Sequence, residues 1–393
     1  MRTYLAPALA ALVLLAACSG DDDGSAAPTT TTTVAGAHPR DAELRLDDVQ
    51  VLGTHNSYHV EPVPALAEAL AGFDRELGDS LAYTHRPIGE QLEELGIRQI
   101  ELDVFADPTG GRFTGRPLFT ALGIEPPPVP PAMGEPGLKV FHVQEIDVGT
   151  TCPTFTSCLL EVQAWSSSHP GHTPVLVLVE AKDSAIPDPL AVGFTQPLPF
   201  DAAALDAVDA EIRAVFGEDE VLTPDDVRGD AATLEEAVLR DGWPTLAEVR
   251  GQVLFALDNT NEIRERYVAG SPSLEGRVLF TSSEPGRPDA AFLKRNDALA
   301  DGAAIRREVA AGYLVRTRAD GDTAQARTGD TATAEAALAS GAHFVSTDYP
   351  EPDPRFTPYA VAIPGGSPGR CNPVSAPTPC TSTDVEDPSL LGG

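Results

Sequence analysis

The stretch PVLVLVEAK, residues 174–182, sets five consecutive branched aliphatic side chains between a proline and a Glu-Ala-Lys exit. A strand with one wet face alternates apolar and polar residues, whereas an unbroken apolar run is what a parallel strand buried on both faces requires. Seven further runs of the same design lie in the chain: VQVLGTH from about Val49, IRQIELDV from Ile97, LKVFHV from Leu138, QVLFALD from Gln252, RVLFTSS from Arg277, YLVRTRA from Tyr313 and HFVSTDY from His343. Helical patterns separate many of them, and most stop at glycine: GEQLEELG (89–96), LLEVQAWSSSH (159–169), DAAALDAVDAEIRAVFG (201–217), TLAEVRG (245–251), NEIRERYVAG (261–270), DGAAIRREVAAG (301–312) and TATAEAALASG (331–341). Strand and helix in alternation predict parallel crossovers, and eight strands predict an α/β fold of the closed (β/α)8, or TIM, barrel type. An open doubly wound sheet has the same rhythm, but the first strand-to-helix turn lacks the GxGxxG of a dinucleotide site.

Two departures make the predicted barrel irregular. Residues 106–137 carry no helical period and abundant Pro and Gly, which predicts a long loop after strand 2. The Pro-rich end holds the last cysteine pair, which predicts a barrel domain over 41–360 and a disulfide-stapled C-terminal extension over 361–393.

The 393 residues, 42% of them apolar, suffice for a sizeable core. With 27 basic against 59 acidic residues and no basic block, the net charge of −32 argues against nucleic acid and against electrostatic docking to anionic lipid. Arg2 precedes the apolar run YLAPALAALVLLAA, shorter than the roughly 20 residues that span a bilayer, so residues 1–18 read as an export signal. Its end, LAAC, resembles the lipobox of bacterial lipoproteins, which makes Cys18 the expected lipidated residue; a secretory peptide with an incidental cysteine is the rival. Residues 19–40, with five threonines in a row, read as a flexible tether. The remaining cysteines pair by proximity, Cys152 with Cys158 and Cys371 with Cys380. Disulfides are the expectation in an oxidising compartment, and metal ligation is the weaker rival because neither spacing is CxxC.

In a barrel the C-terminal ends of the strands form the site. Those ends carry His55 and Asn56, Glu101 and Asp103, His142, Glu180 and Lys182, Asp258, Arg316 and Arg318, and Asp348. Glu180 closes an apolar run and needs a cation: either Lys182, or a metal shared with Glu101, Asp103 and Asn56. Three carboxylates and an amide oxygen are a hard, all-oxygen set that suits Ca2+ or Mg2+ and not zinc. His55 and His142 form a candidate acid/base pair. Arg316 and Arg318 are suited to a phosphate or hydroxyls, with ion pairs to Asp348 or Asp320 as the competing role. For His59, His85, His169, His172 and His343 the expectation is surface or capping roles. A strict strand points His55 and Asn56 to opposite faces, so one of them must sit on the turn that leaves it.

The motifs THNSY (54–58), IELDVF (100–105), FHVQEID (141–147), LVEAKD (178–183), RTRAD (316–320) and VSTDYP (345–350), with the tail PGGSPGRCNPV (364–374), together resemble the bacterial calcium-dependent phosphatidylinositol-specific phospholipase C family over roughly residues 45–380. The resemblance implies a phosphodiesterase barrel in which His55 and His142 are catalytic and Asn56, Glu101, Asp103 and Glu180 hold one Ca2+. Lys182, Asp258, Arg316, Arg318 and Asp348 would then face the substrate. It implies attack of the inositol 2-hydroxyl on phosphorus, diacylglycerol as leaving group, and a 1,2-cyclic inositol phosphate that water opens later. Asp258 stands where eukaryotic relatives carry basic residues, so a head group without extra phosphates is expected. The expected partner is a phospholipid at a membrane surface, and the expected state a monomer, exported and lipid-anchored. A glycerophosphodiester or other head-group phosphodiesterase on the same barrel, and a non-enzymatic glycolipid-binding lipoprotein, are the alternatives.

Overall fold

The computed structural model describes residues 38–366 and 368–390, so the expected signal segment, Cys18 and most of the tether lie outside the described residues. Eight parallel strands close a ring: β1 (Val49–Thr54), β2 (Gln99–Phe105), β3 (Val175–Ala181), β4 (Val253–Leu257), β5 (Leu279–Ser282), β6 (Ala290–Lys294), β7 (Leu314–Arg318) and β8 (Phe344–Thr347). Each pairs with the next, and β1 pairs with β8 from Val51↔Phe344 to Thr54↔Thr347 and with β2 at Gly53↔Gln99. The run that opened the sequence reading is β3, with Val175 to Val179 fully buried.

One expected strand is not in the ring. LKVFHV yields only the two-residue strand Lys139–Val140, antiparallel to the exit of β2. The missing member is β6, which the sequence disguised because residues 283–289 join it to β5 without a helix. The expected long loop after β2 also holds a short helix at Pro117–Leu122 and a 3-10 turn at Pro131–Gly134. The crossover is completed by a helix at Phe155–Ser168, whose start is tied down by the disulfide Cys152–Cys158.

The single β1–β2 bridge is tight because Gly53 has no side chain. A Cβ there would lie 2.0 Å from Gln99 Oε1 and 2.7 Å from Gln99 Cβ, and Gln99 Nε2 donates to the Thr54 carbonyl at 3.1 Å. Below that bridge the C-terminal extension fills the seam: Gly369–Cys371 runs antiparallel to Val49–Val51 and is stapled by Cys371–Cys380. Arg98, at the foot of β2, pairs with Glu386 of the extension, and both are buried. The Thr173 amide also donates to Glu386 at 2.8 Å. Removing one partner strands the other charge in a dry site, so Glu386→Ala should cost about 3–5 kcal/mol. Denaturant melts of the two proteins measure it.

His343 is buried just ahead of β8. Its Nε2 donates to the Asp47 carbonyl at 2.9 Å and its Nδ1 accepts the Val315 amide at 3.0 Å, which fixes the neutral ring. Burial pushes its pKa down to about 4. The unfolded chain therefore binds a proton that the fold refuses: the contribution is complete above about pH 6.5 and is lost as pH falls towards 4, by about 2 kcal/mol at pH 5. Melting temperatures at pH 7 and 5 should differ less in His343→Gln than in the parent.

Candidate active site

The mouth begins where β1 ends. The His55 amide donates to the Thr347 carbonyl at 3.1 Å, continuing the β1–β8 ladder, and Asn56 then turns with φ of 46°. The turn breaks the strand's alternation, so the two side chains are not forced to opposite faces: His55 reaches Asp348, and Asn56 reaches the hydroxyls of Tyr58 and Tyr83. Ser57 locks it against β2: its amide donates to the Glu101 carbonyl at 3.0 Å, and its hydroxyl oxygen accepts the Glu101 amide at 2.8 Å. Thr54 and Ser57 of THNS are thus the frame, and His55 and Asn56 the presented groups.

His55 Nδ1 lies 2.8 Å from Asp348 Oδ1. Burial would raise Asp348, but His55 and the Arg318 guanidinium hold it well below the carboxylate range. The ionised carboxylate only accepts, so Nδ1 carries the proton. Nε2 stands 3.4 Å from an Arg318 nitrogen and 3.8 Å from Glu101 Oε1. Burial and then Arg318 push His55 down to about 3, so the imidazole is neutral with a bare Nε2.

Beside it Glu101, Asp103 and Glu180 gather, each with a carboxylate oxygen within 4.8 Å of the others. Glu101 and Asp103 share one face of β2, and Asp103 is paired in register with Glu180 of β3. Burial pushes Glu101 up to about 8 and Asp103 up to about 7, against the pull of Arg316 and Lys182 respectively. Lys182 Nζ is 3.2 Å from Asp103 and 3.3 Å from Glu180, so that expected substrate group also balances the cluster. Yet both Asp103 oxygens are buried without a well-formed hydrogen bond. Oxygen-only, with Glu101 and Asp103 buried and Glu180 partly open, three carboxylates against the two cations Lys182 and Arg316 leave an excess of negative charge that fits a hard divalent cation. Asn56 is buried nearby, with Oδ1 3.4 Å from the Tyr58 hydroxyl and Nδ2 3.2 Å from that of Tyr83.

His142 reaches the mouth on a loop, not on a barrel strand. After Lys139–Val140 the chain reverses through Glu145 at φ of 69°, and Val143 pairs with Asp147. That turn returns Asp147 Oδ2 to 2.7 Å from His142 Nδ1. Burial would raise Asp147, but His59 and His142 hold it at about 2. His142, Glu180 and Lys182 line one cavity of about 250 Å³ with Phe105, Ile186 and Asn261.

Other expected site residues are committed within the protein. Arg316 is 1% exposed and donates to Glu101 at 2.5 Å, to Asn296 at 2.6 Å and to Ser346 at 3.0 Å. Arg318 holds Asp348 at 3.1 Å. Asp258 pairs with Lys294, the last residue of the strand that was not foreseen. Of the surface or capping roles expected for the remaining histidines, a surface role does not hold for His59, His85, His172 and His343, which are buried with their rings bonded to backbone groups. His59 lies 2.8 Å from Asp147, and His85 Nε2 donates to the His55 carbonyl at 2.8 Å. The partner that sequence reasoning missed is Asp147, although an acid five residues beyond His142 across a turn was a usable signal.

A parallel barrel with two carboxylate-anchored histidines around an acidic cluster is the frame of a metal-assisted phosphodiesterase. Residues 44–373 match the family described as Ca2+-dependent phosphoinositide phospholipase C, and the chain belongs to that family. Its cofactor is Ca2+. Among solved structures, the calcium-dependent phosphoinositol-specific phospholipase C of a Pseudomonas species, in its apo form, matches with a TM-score of 0.52 at 16% identity, over 86% of this chain and 98% of that one. The myoinositol complex of the same enzyme matches with the same TM-score, identity and coverage. At that identity the likeness concerns the fold. No curated protein matches the sequence significantly.

Proposed function

We propose that the protein cleaves phosphatidylinositol to diacylglycerol and inositol 1,2-cyclic phosphate, opened later to inositol 1-phosphate, with His55 and His142 as the acid/base pair. The observation that carries this reading is the duplicated anchoring: His55 on Asp348 at 2.8 Å and His142 on Asp147 at 2.7 Å, with Glu101 of the carboxylate cluster 3.8 Å from His55 and Glu180 lining one cavity with His142. Asn56, Glu101, Asp103 and Glu180 would hold Ca2+, which when bound neutralises phosphate charge and makes the attacking hydroxyl more acidic. His55, neutral with Nε2 unprotonated, takes the proton of the inositol 2-hydroxyl, and Asp348 steadies the imidazolium that forms. His142, fixed by Asp147, donates a proton to the glycerol oxygen as it leaves. Arg318 and Lys182 border that space and supply donors to the phosphate and ring hydroxyls. Lys294 is engaged by Asp258, which favours a head group without extra phosphates.

The two disulfides suit an oxidising compartment. Export with an acyl anchor on Cys18 and a monomeric state complete the proposal. A panel of vesicles differing only in head group tests the substrate: release of soluble phosphate ester from phosphatidylinositol alone is expected, and equal release from phosphatidylcholine would refute it.

A further inference from the structure

Asp320 lies just past the end of β7 and is 4% exposed, yet neither the acid/base pair nor the calcium set uses it. A buried carboxylate persists only where donors meet it. Its Oδ1 accepts the Asp348 amide at 2.8 Å. Its Oδ2 accepts the Thr347 hydroxyl and, at 3.1 Å, the Tyr359 hydroxyl, which also reaches the Ala319 carbonyl at 3.3 Å. Thr347 Oγ1 accepts the Tyr349 amide at 2.9 Å, so its own hydrogen is left for Asp320. Two of these donors belong to the residues that hold His55. The Thr347 carbonyl accepts the His55 amide at 3.1 Å, and Asp348 Oδ1 lies 2.8 Å from His55 Nδ1. Asp320 thus ties down the end of β8 from behind and sets a second carboxylate next to Asp348, with Arg318 as the cation that acts on both.

We propose that Asp320 is a positioning residue of the reaction, holding Asp348 against His55 and adding the negative charge that makes His55 Nε2 a stronger base. The inference rests on the reading of His55 as the base. Burial pushes Asp320 up to about 7 and the charge of Asp348 adds to that, against the Thr347 hydroxyl, the Asp348 amide and Arg318. Tyr349 and Tyr359 are the other titratable groups that face it. Above that pH the second charge is present, and in a dry site a neighbour feels it more strongly than in water.

The test is made at pH 8 with calcium saturating. Asp320→Asn keeps the shape and an oxygen for the Asp348 amide but removes the charge. It should lower kcat on phosphatidylinositol about tenfold to a hundredfold at unchanged KM. The deficit should be as deep with a p-nitrophenolate leaving group, because it lies on the base side. Proton NMR reads the same contact without catalysis. A hydrogen bond from Nδ1 to a carboxylate gives a low-field resonance, identified for His55 as the one that His55→Ala abolishes. It should move upfield in Asp320→Asn while the His142 resonance stays. Tyr359→Phe takes one donor from Asp320 and favours its neutral form, so it should move the His55 resonance the same way by less. This second variant carries the test if Asp320→Asn does not fold. A His55 resonance unmoved in both variants, a parental kcat in Asp320→Asn, or a deficit that shrinks with the activated leaving group would overturn the proposal. A shifted resonance in a protein that leaves phosphatidylinositol intact would support the positioning and refute only the substrate reading.

Discussion

His142→Ala should lower kcat on phosphatidylinositol by about 10³ to 10⁴, with little change in KM and in melting temperature. The side chain is 24% exposed on a loop, so its loss leaves the barrel core alone. The assignment as acid makes a sharper prediction. With a leaving group that departs without a proton, such as p-nitrophenolate in an inositol phosphodiester, the deficit should shrink by at least about tenfold. His55→Ala removes the proposed base and should be as poor on the activated substrate as on the lipid. Asp147→Asn keeps the ring in place but offers a neutral amide where the carboxylate accepted the hydrogen bond of Nδ1, and it should cost less than His142→Ala. Steady-state kinetics on the two substrates decide it; identical behaviour of the two histidine variants would reverse or dissolve their roles.

Chelation of calcium should abolish turnover by about 10³ or more, and added Ca2+ should restore it while Mg2+ does so poorly, because a crowded carboxylate set of irregular geometry suits the larger ion. Without a cation, burial holds Glu101 and Asp103 protonated to about 8 and about 7. Protons then compete with calcium. Affinity should weaken as pH falls from 8 to 6, each proton displaced steepening the dependence. Calorimetric titrations at several pH values measure this, and a pH-independent affinity would place the ion elsewhere. Asp103→Asn should raise the calcium requirement at least tenfold, since Asp103 is the fully buried carboxylate paired in register with Glu180 at the centre of the cluster.

Much of the barrel was legible in the primary structure because its strands are dry on both faces. Val175–Val179 and Val253–Leu257 can be nothing but buried strands once helices flank them. The errors share a cause. β6 is a short strand joined to β5 by a bare loop, so no helix announces it, whereas LKVFHV has a strand's composition but is turned aside by the reversal at Glu145. The metal-ligand candidates on β2 and β3 were legible because a period of two puts Glu101 and Asp103 on one face and register adds Glu180. The partners of the two histidines were harder to read. Asp348 could be listed as a strand end, but that it anchors His55 depends on the β1–β8 closure, the longest-range pairing in the ring. Asp147 sits in a turn that no periodicity describes, and its contact with His59 is a packing result.

Two anchored histidines and a calcium-binding cluster are proposed to convert phosphatidylinositol to a cyclic phosphate. Phosphorus NMR of the soluble product, followed in time with calcium and with chelator, tests it most directly. A five-membered cyclic phosphodiester signal should appear first and only with calcium, before any inositol 1-phosphate. Inositol 1-phosphate formed from the outset with no cyclic species, or product formed at full rate in chelator, would contradict it.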